Sequence, residues 1–216
     1  MVVTIGITLL ALLMAGLIAW RSSKGWAIGV VVVMAVQFGL AWLGVLRDQN
    51  IKPPPIMAMM AFTMLYTLML AFSSTGRSMA ANHSFAMLIG SQAFRFPLEL
   101  VMHRAASDGL MPAQMSYSGC NFDILTGITA IPVAWLASKG QAPRWLLIAW
   151  NALGSFLLLA IMAIAISSMP FIQAFGPDHV NTWVFDPPYV WLPGVLVPAA
   201  LLGHILIWRK ISIQSV

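Results

Sequence analysis

The chain has 216 residues, of which 60% are hydrophobic and 8% are charged. A soluble domain carries about 25% charged residues, so the composition excludes a water-soluble protein and predicts an integral membrane protein whose main partner is the lipid bilayer. The net charge is +5, but the basic residues lie singly between apolar runs, which is typical of topology signals and not of a nucleic-acid surface. The single cysteine, Cys120, excludes an internal disulfide.

The apolar runs predict an all-α fold, a polytopic transmembrane helical bundle that forms a single integral membrane domain over residues 1–216. A helix needs about 20 residues to cross the hydrocarbon layer, and seven runs approach or reach that length. No basic residue precedes the first run and no small-residue cleavage site follows it, so we expect an uncleaved span. In chain order the predicted spans are 2–20, 25–46, 56–72, 82–104, 122–137, 145–166 and 189–208.

The basic residues of the connections predict the orientation in the membrane. Seven spans place the two termini on opposite sides. On the side of the membrane where the first span ends, seven basic residues flank the spans: Arg21, Lys24, Arg77, Lys139, Arg144, Arg209 and Lys210. The other receives Arg47, Lys52 and Arg104. By the positive-inside rule we expect the N-terminus outside and the C-terminus in the cytoplasm, in the inner (plasma) membrane of a cell.

The fourth predicted span contains the only glutamate of the chain, Glu99, four residues after Arg95. Residues three and four apart share a helix face, so Gln92, Arg95, Glu99 and His103 form one polar stripe. The stripe runs from about mid-membrane at Arg95 to the outer edge at His103, at ~1.5 Å per residue. Pro97 removes a backbone donor and is expected to kink the helix between the two charges.

A charge at mid-membrane costs at least ~2.5–3.5 kcal/mol, so the stripe needs partners. Arginine before glutamate is the less favourable order for a pair four residues apart, and Asn121 and Asp123 begin the fifth predicted span on the same outer side. The predicted substrate-binding wall is therefore Gln92, Arg95, Glu99, His103, Asn121 and Asp123. In the alternative interpretation Arg95 and Glu99 form a buried ion pair that only fixes packing, and Asn121 and Asp123 only cap a helix.

The sequence contains no established catalytic motif: H-E-x-x-H, G-x-S-x-G and a glycine-rich phosphate loop are all absent. Glu99 and His103 form E-x-x-x-H, which supplies two metal ligands at most, too few for a site. His204 lies toward the cytoplasmic end of the last predicted span, so it is not expected to meet His103. The catalytic residues and any cofactor therefore stay open, and no metal site is predicted.

Four methionines cluster in the third predicted span. Thioethers suit Cu(I), but methionine is also ordinary apolar filler, which is the interpretation that we adopt. The four are Met57, Met59, Met60 and Met64.

Two short runs carry a resemblance to a family. They are F-R-F-P-L-E-L-V at 94–101 and N-F-D-I-L-T-G at 121–127. Together they resemble a pattern in a group of bacterial polytopic inner-membrane proteins without an established activity, over about forty residues of the chain. The resemblance implies a membrane protein and draws attention to the same two segments, but it implies no mechanism.

Three functional hypotheses follow from these residues. In the first, the protein binds or transports a small polar or anionic solute or a proton: Arg95 attracts an anionic group, and Glu99 with His103 accepts and releases protons, next to prolines that open backbone groups to a cavity. In the second, it is a membrane-embedded enzyme at the outer face, in which Glu99, His103, Asp123 and His179 bind a metal or act as acid and base. In the third, it is a structural or sensor subunit of a membrane complex.

Overall fold

The computed structural model describes residues 1–214 of the chain. Within this range 76% of the residues are helical and no strand occurs, which confirms the all-α fold. Helices that are long and apolar enough to cross a membrane indicate a multi-pass membrane protein. In the described residues there are six of them: Val2–Arg21, Lys24–Trp42, Pro55–Phe72, Phe85–Ser107, Arg144–Ser167 and Leu192–Ile213.

We number the α-helices in chain order. They are α1 (Val2–Arg21), α2 (Lys24–Trp42), α3 (Pro55–Phe72), α4 (Ser74–Asn82), α5 (Phe85–Gly90), α6 (Arg95–Ser107), α7 (Ile124–Ser138), α8 (Arg144–Ser167) and α9 (Val197–Ile213). A 3₁₀ turn, Ser91–Phe94, joins α5 to α6, and a π-helical turn, Leu192–Leu196, leads into α9. The segment Phe85–Ser107 is therefore interrupted by the 3₁₀ turn, just before Pro97. Pro97 lies in the first turn of α6, where a missing backbone N–H costs little.

The outer helices are apolar on all faces, as lipid requires. In α1 the residues Ile7, Ala11 and Met14 are buried at helical spacing, while Leu9 and Leu12 on the opposite face are exposed. A helix that is hydrophobic all round belongs in a core or a membrane. An 18-residue apolar stretch of the segment that includes α9 is 72% buried, against 28% for the corresponding stretch of α1, so the α9 segment lies at the centre of the bundle.

The two ends of the bundle differ in character. One end, which we call the basic end, carries Arg209 and Lys210 at the close of α9. Lys210 Nζ donates to the carbonyls of Ala80 and Ala81, both at 3.2 Å. These carbonyls belong to α4, a helix that lies almost entirely in the connection between the third and fourth predicted spans. The Ser73 hydroxyl accepts from the Gly76 N–H and so begins α4.

The opposite end, which we call the lid end, carries two long connections, residues 108–123 and 168–191. They contact each other, because Gln114 Nε2 donates to Ser168 Oγ at 3.0 Å and to the His179 carbonyl at 2.8 Å. Trp183, Val184 and Phe185 of the second connection are buried. The two connections therefore cover the lid end of the bundle as one packed layer.

The first lid connection turns back into the bundle before α7 begins. Helix α7 has 15 residues, a length of about 22 Å that falls short of the ~30 Å hydrocarbon layer. Its first turn lies beside Arg95, in the interior of the Phe85–Ser107 segment. The predicted fifth span is thus a helix with nearly the predicted bounds, but it crosses only part of the bundle. Seven spans and the N-outside orientation stay predictions.

Candidate functional site

Arg95 forms a buried ion pair with Asp123. Its side chain is 1% exposed, Nε donates to Asp123 Oδ2 at 2.6 Å, and Nη2 donates to Asp123 Oδ1. This two-point contact is the strongest arrangement of a guanidinium and a carboxylate. The ion pairs among the described residues are Arg47–Asp186, Arg95–Asp123 and Arg104–Asp108, and none of them involves Glu99. The alternative interpretation that Arg95 pairs with Glu99 is therefore wrong.

Gly127 explains how α7 comes close enough to α6 for this pair. A methyl group at Gly127 would lie 2.8 Å from the Cα of Phe96 and 2.9 Å from the carbonyl carbon of Arg95. Only a residue without a side chain allows two helix backbones to meet at this distance. Asp123 precedes Gly127 by one helical turn, on the same face, and so its carboxylate reaches the guanidinium.

His204 and Asn151 complete the network around Arg95. Arg95 Nη1 lies 2.7 Å from His204 Nε2, and because arginine has only donors, Nε2 must accept. The neutral ring then carries its hydrogen on Nδ1, which donates to Asn151 Oδ1 at 2.7 Å. Asn151 Nδ2 in turn donates to the His204 carbonyl at 3.1 Å. These bonds connect α6, α7, α8 and α9 and assign one tautomer to His204.

A second glycine permits the contact between α8 and α9. A methyl group at Gly154 would lie 2.5 Å from Cε1 of His204, so the ring packs directly on the α8 backbone. Asn151 lies three residues earlier on the same face of α8. Neither His204 nor Asn151 was predicted to be a member of the site. The available signal was that a histidine and an amide are rare side chains in largely apolar spans.

Glu99 lies one turn after Arg95 in α6 but in different surroundings. Its side chain is 2% exposed and Oε2 accepts from Asn121 Nδ2 at 2.7 Å. The same Asn121 nitrogen donates to the Met115 carbonyl at 3.1 Å, and Asn121 Oδ1 accepts from the Asp123 N–H at 3.0 Å. Asn121 therefore fixes the carboxylate of Glu99 and the start of α7 together.

Glu99 lines a cavity of about 60 Å³. Roughly 10–15 Å³ is enough to hold one water molecule, so the cavity has room for a few. Its walls are mainly apolar side chains of α6, α8 and the π-helical turn, and the lid connections close it with Met115, Met169 and Val184. Asn181 also lines it, and the Oδ1 atom of Asn181 has no hydrogen-bond partner among the described residues. The residues that line the cavity thus include a buried carboxylic acid, Glu99, and an amide with an unsatisfied oxygen, Asn181.

The two remaining predicted site residues lie elsewhere. Gln92 is fully buried against Gly203, and within residues 1–214 neither polar atom of its amide has a partner. His103 lies at the lid end, with Nδ1 3.0 Å from Ser116 Oγ and its ring stacked on Tyr117 at 4.4 Å between centroids. Of the predicted wall, the structure thus groups Arg95, Glu99, Asn121 and Asp123, and it separates Gln92 and His103 from the cavity.

The residues proposed for a metalloenzyme do not converge. His179 is exposed in the second lid connection. Across the described chain, no group of three or more His, Cys, Asp or Glu side chains could hold a metal ion. The E-x-x-x-H spacing of Glu99 and His103 therefore does not extend to a third ligand of these types.

Comparison with known proteins gives one match. A family model described as a domain of unknown function (DUF8737) matches residues 54–212. This range contains Arg95, Glu99, Asp123 and His204 and excludes α1 and α2. No curated protein and no solved structure matches the chain.

Proposed function

The chain belongs to the DUF8737 family, and from this premise we propose that it binds or transports a proton or a small polar solute through the cavity beside Glu99. The observation that carries the proposal is a buried carboxylate that faces this cavity and takes part in no ion pair of the described residues. Glu99 is the group that gains and loses a proton as the ligand binds and leaves. An intramembrane ionisable residue in this position is a functional residue by default.

The charges around the cavity favour a proton or a positively charged ligand over an anion. Asp123 neutralises Arg95 through two contacts, and His204 accepts from the remaining guanidinium nitrogen. Arg95 therefore has no uncompensated charge to offer to an anionic group, which the sequence had led us to expect. Ionised Glu99 gives the cavity one negative charge, and a proton or a small cation compensates it.

The helix breaks near the cavity support movement of the ligand. Leu192, Pro193 and Leu196 of the π-helical turn line the cavity, and Phe94 at the end of the 3₁₀ turn lines it from the other side. Irregular helical turns at membrane depth are tolerated where they line a cavity and often mark functional sites. The lid connections, which we place at the outer face, border the cavity with Met115, Met169 and Val184, and Gln114 joins the two connections through Ser168 and the His179 carbonyl.

The test is proton flux into liposomes that contain the purified protein, driven by a potassium diffusion potential and followed with a trapped pH dye. We expect Glu99→Gln to reduce the flux by at least about tenfold, because the amide cannot exchange a proton at neutral pH. Asp108→Asn is the matched control. It also converts an acid to an amide, but Asp108 is exposed and paired with Arg104, so the flux stays unchanged. Flux that survives Glu99→Gln contradicts the proposal.

A further inference from the structure

We propose that the cavity beside Glu99 binds a soft monovalent metal cation, Cu(I) or its redox-inert analogue Ag(I), through methionine sulfur. This deepens the proposed function and rests on it, since Glu99 is taken as the anionic group of an ion-binding cavity. Methionine is concentrated here, with five of the twenty lining residues against 15 in the 216-residue chain. The five are Met60, Met102, Met115, Met162 and Met169.

Helical spacing links Met102 to Glu99, and a shared hydrogen-bond donor links Met115 to it. Met102 follows Glu99 by three residues in α6, so both side chains lie on the face that borders the cavity. Met115 is held from the other side: Asn121 Nδ2 donates both to the Met115 carbonyl and to Glu99 Oε2. One amide nitrogen therefore holds the carboxylate next to the residue that supplies a thioether.

The contact between the two lid connections brings the chain at Met169 next to the chain at Met115. Gln114, the neighbour of Met115, donates to Ser168 Oγ at 3.0 Å, and Met169 follows Ser168 in the chain. Asn181 is fixed to the same point, because its N–H donates to the Ser168 carbonyl at 2.7 Å. Met102, Met115 and Met169 are all buried. Met102, Met115 and Met169 therefore line one cavity together with Glu99 and with Asn181, whose Oδ1 has no hydrogen-bond partner among the described residues.

This set of donors selects the type of cation. Hard cations such as Ca²⁺ and Mg²⁺ need about six or more oxygen ligands, whereas the lining side chains offer the oxygens of Glu99 and Asn181 and those of Asp123, which already accept from Arg95. Thioether sulfur is a soft donor that suits Cu(I). A monovalent cation also matches the single negative charge of an ionised Glu99. The cation is bound without change of oxidation state, and no bond of the protein is made or broken.

The cavity differs from the methionine cluster that is visible in the sequence. Of Met57, Met59, Met60 and Met64, only Met60 lines it. The other lining methionines come from α6, α8 and the two lid connections. The site is therefore a product of the tertiary structure, and methionines outside it serve as controls.

The experiment measures Ag(I) bound to the detergent-purified protein by equilibrium dialysis in chloride-free buffer. Cys120 is an exposed free thiol that would itself bind silver, so all variants carry Cys120→Ser. Leucine replaces methionine with little change of volume. We expect Cys120→Ser protein to bind one Ag(I) per chain, and each of Met102→Leu, Met115→Leu and Met169→Leu to weaken binding about tenfold or more. Met79→Leu, a buried methionine at the basic end, leaves binding unchanged.

Two results would overturn the site: folded Cys120→Ser protein that binds no silver, or equal affinity in the triple leucine variant. These silver-binding results are independent of the proton-flux measurement that tests the proposed function. If the methionine variants leave silver binding unaltered while Glu99→Gln still abolishes proton flux, the cavity carries protons and the metal site is wrong. If silver binding depends on the three methionines but flux survives Glu99→Gln, the cavity binds a soft cation without the proposed role of Glu99.

Discussion

Arg95 and Glu99 lie one turn apart on the same helix and line the same cavity, but their partners differ. Arg95 belongs to a network in which Asp123, His204 and Asn151 match its charge and satisfy each other's hydrogen-bonding groups. Glu99 has one donor, Asn121, and no ion-pair partner among the described residues, beside the cavity that it lines together with Arg95 and Asp123. A buried charge that is fully paired connects helices, whereas a buried charge that faces open space is available to a ligand.

This difference in partners assigns a structural role to Arg95 and its network and a functional role to Glu99. The four residues of the network come from α6, the start of α7, α8 and α9, so they fix the relative positions of those helices. Replacement of a complete buried ion pair by apolar residues is often neutral, but removal of one partner is costly. The network is therefore expected to determine stability, and Glu99 is expected to determine function with little effect on stability.

The largest expected effect follows from removal of one member of the network. Asp123→Asn leaves Arg95 buried without a counter-charge and is expected to lower the free energy of unfolding by about 3–5 kcal/mol. Unfolding in mixed detergent with sodium dodecyl sulfate, followed by tryptophan fluorescence, measures the change. The double variant Arg95→Met with Asp123→Leu is expected to recover most of the loss. If Asp123→Asn is as stable as the parent protein, the ion pair does not hold the helices together.

An intermediate effect is expected at the backbone contact that brings Asp123 to Arg95. Gly127→Ala introduces a methyl group against the α6 backbone and should cost about 1–3 kcal/mol, the range for overpacking. Gly16→Ala is the control, since a methyl group there has no atom within 4 Å and alanine favours a helix. Detergent unfolding of both variants checks this. Equal stability would mean that α7 can shift without loss of the network.

The smallest effect on stability is expected at Glu99 itself. Glu99→Gln keeps an acceptor for Asn121 Nδ2 and removes a buried charge, so the free energy of unfolding should change by less than about 1 kcal/mol. The comparison with Asp123→Asn is direct, because both variants exchange an acid for an amide at buried positions of the same region. A loss as large as that of Asp123→Asn would place Glu99 in the structural network and remove the distinction between the two residues.

The sequence predicted the helical content and most helix positions because apolar runs report burial in lipid directly. It also predicted that Arg95, Glu99, Asn121 and Asp123 lie together, since charged and amide groups are rare in such runs; that they bind a substrate stays a prediction. The helix α4 was missed because its polar composition resembles a loop, and it is stabilised by Ser73 and by Lys210 from the other end of the chain. His204 and Asn151 were missed because their role depends on the contact of α8 with α9.

The sequence by itself determined that this chain is a helical membrane protein with a few polar groups at membrane depth, because hydropathy is a local property. Only the tertiary structure decided which of those groups neutralise each other. Partners of Arg95 lie 28 and 109 residues away, and their approach depends on glycines at helix contacts, which helical spacing does not reveal. The same packing left Glu99 beside a cavity lined by methionines from separate elements. Long-range contacts thus divided one polar stripe into a structural network and a candidate binding site.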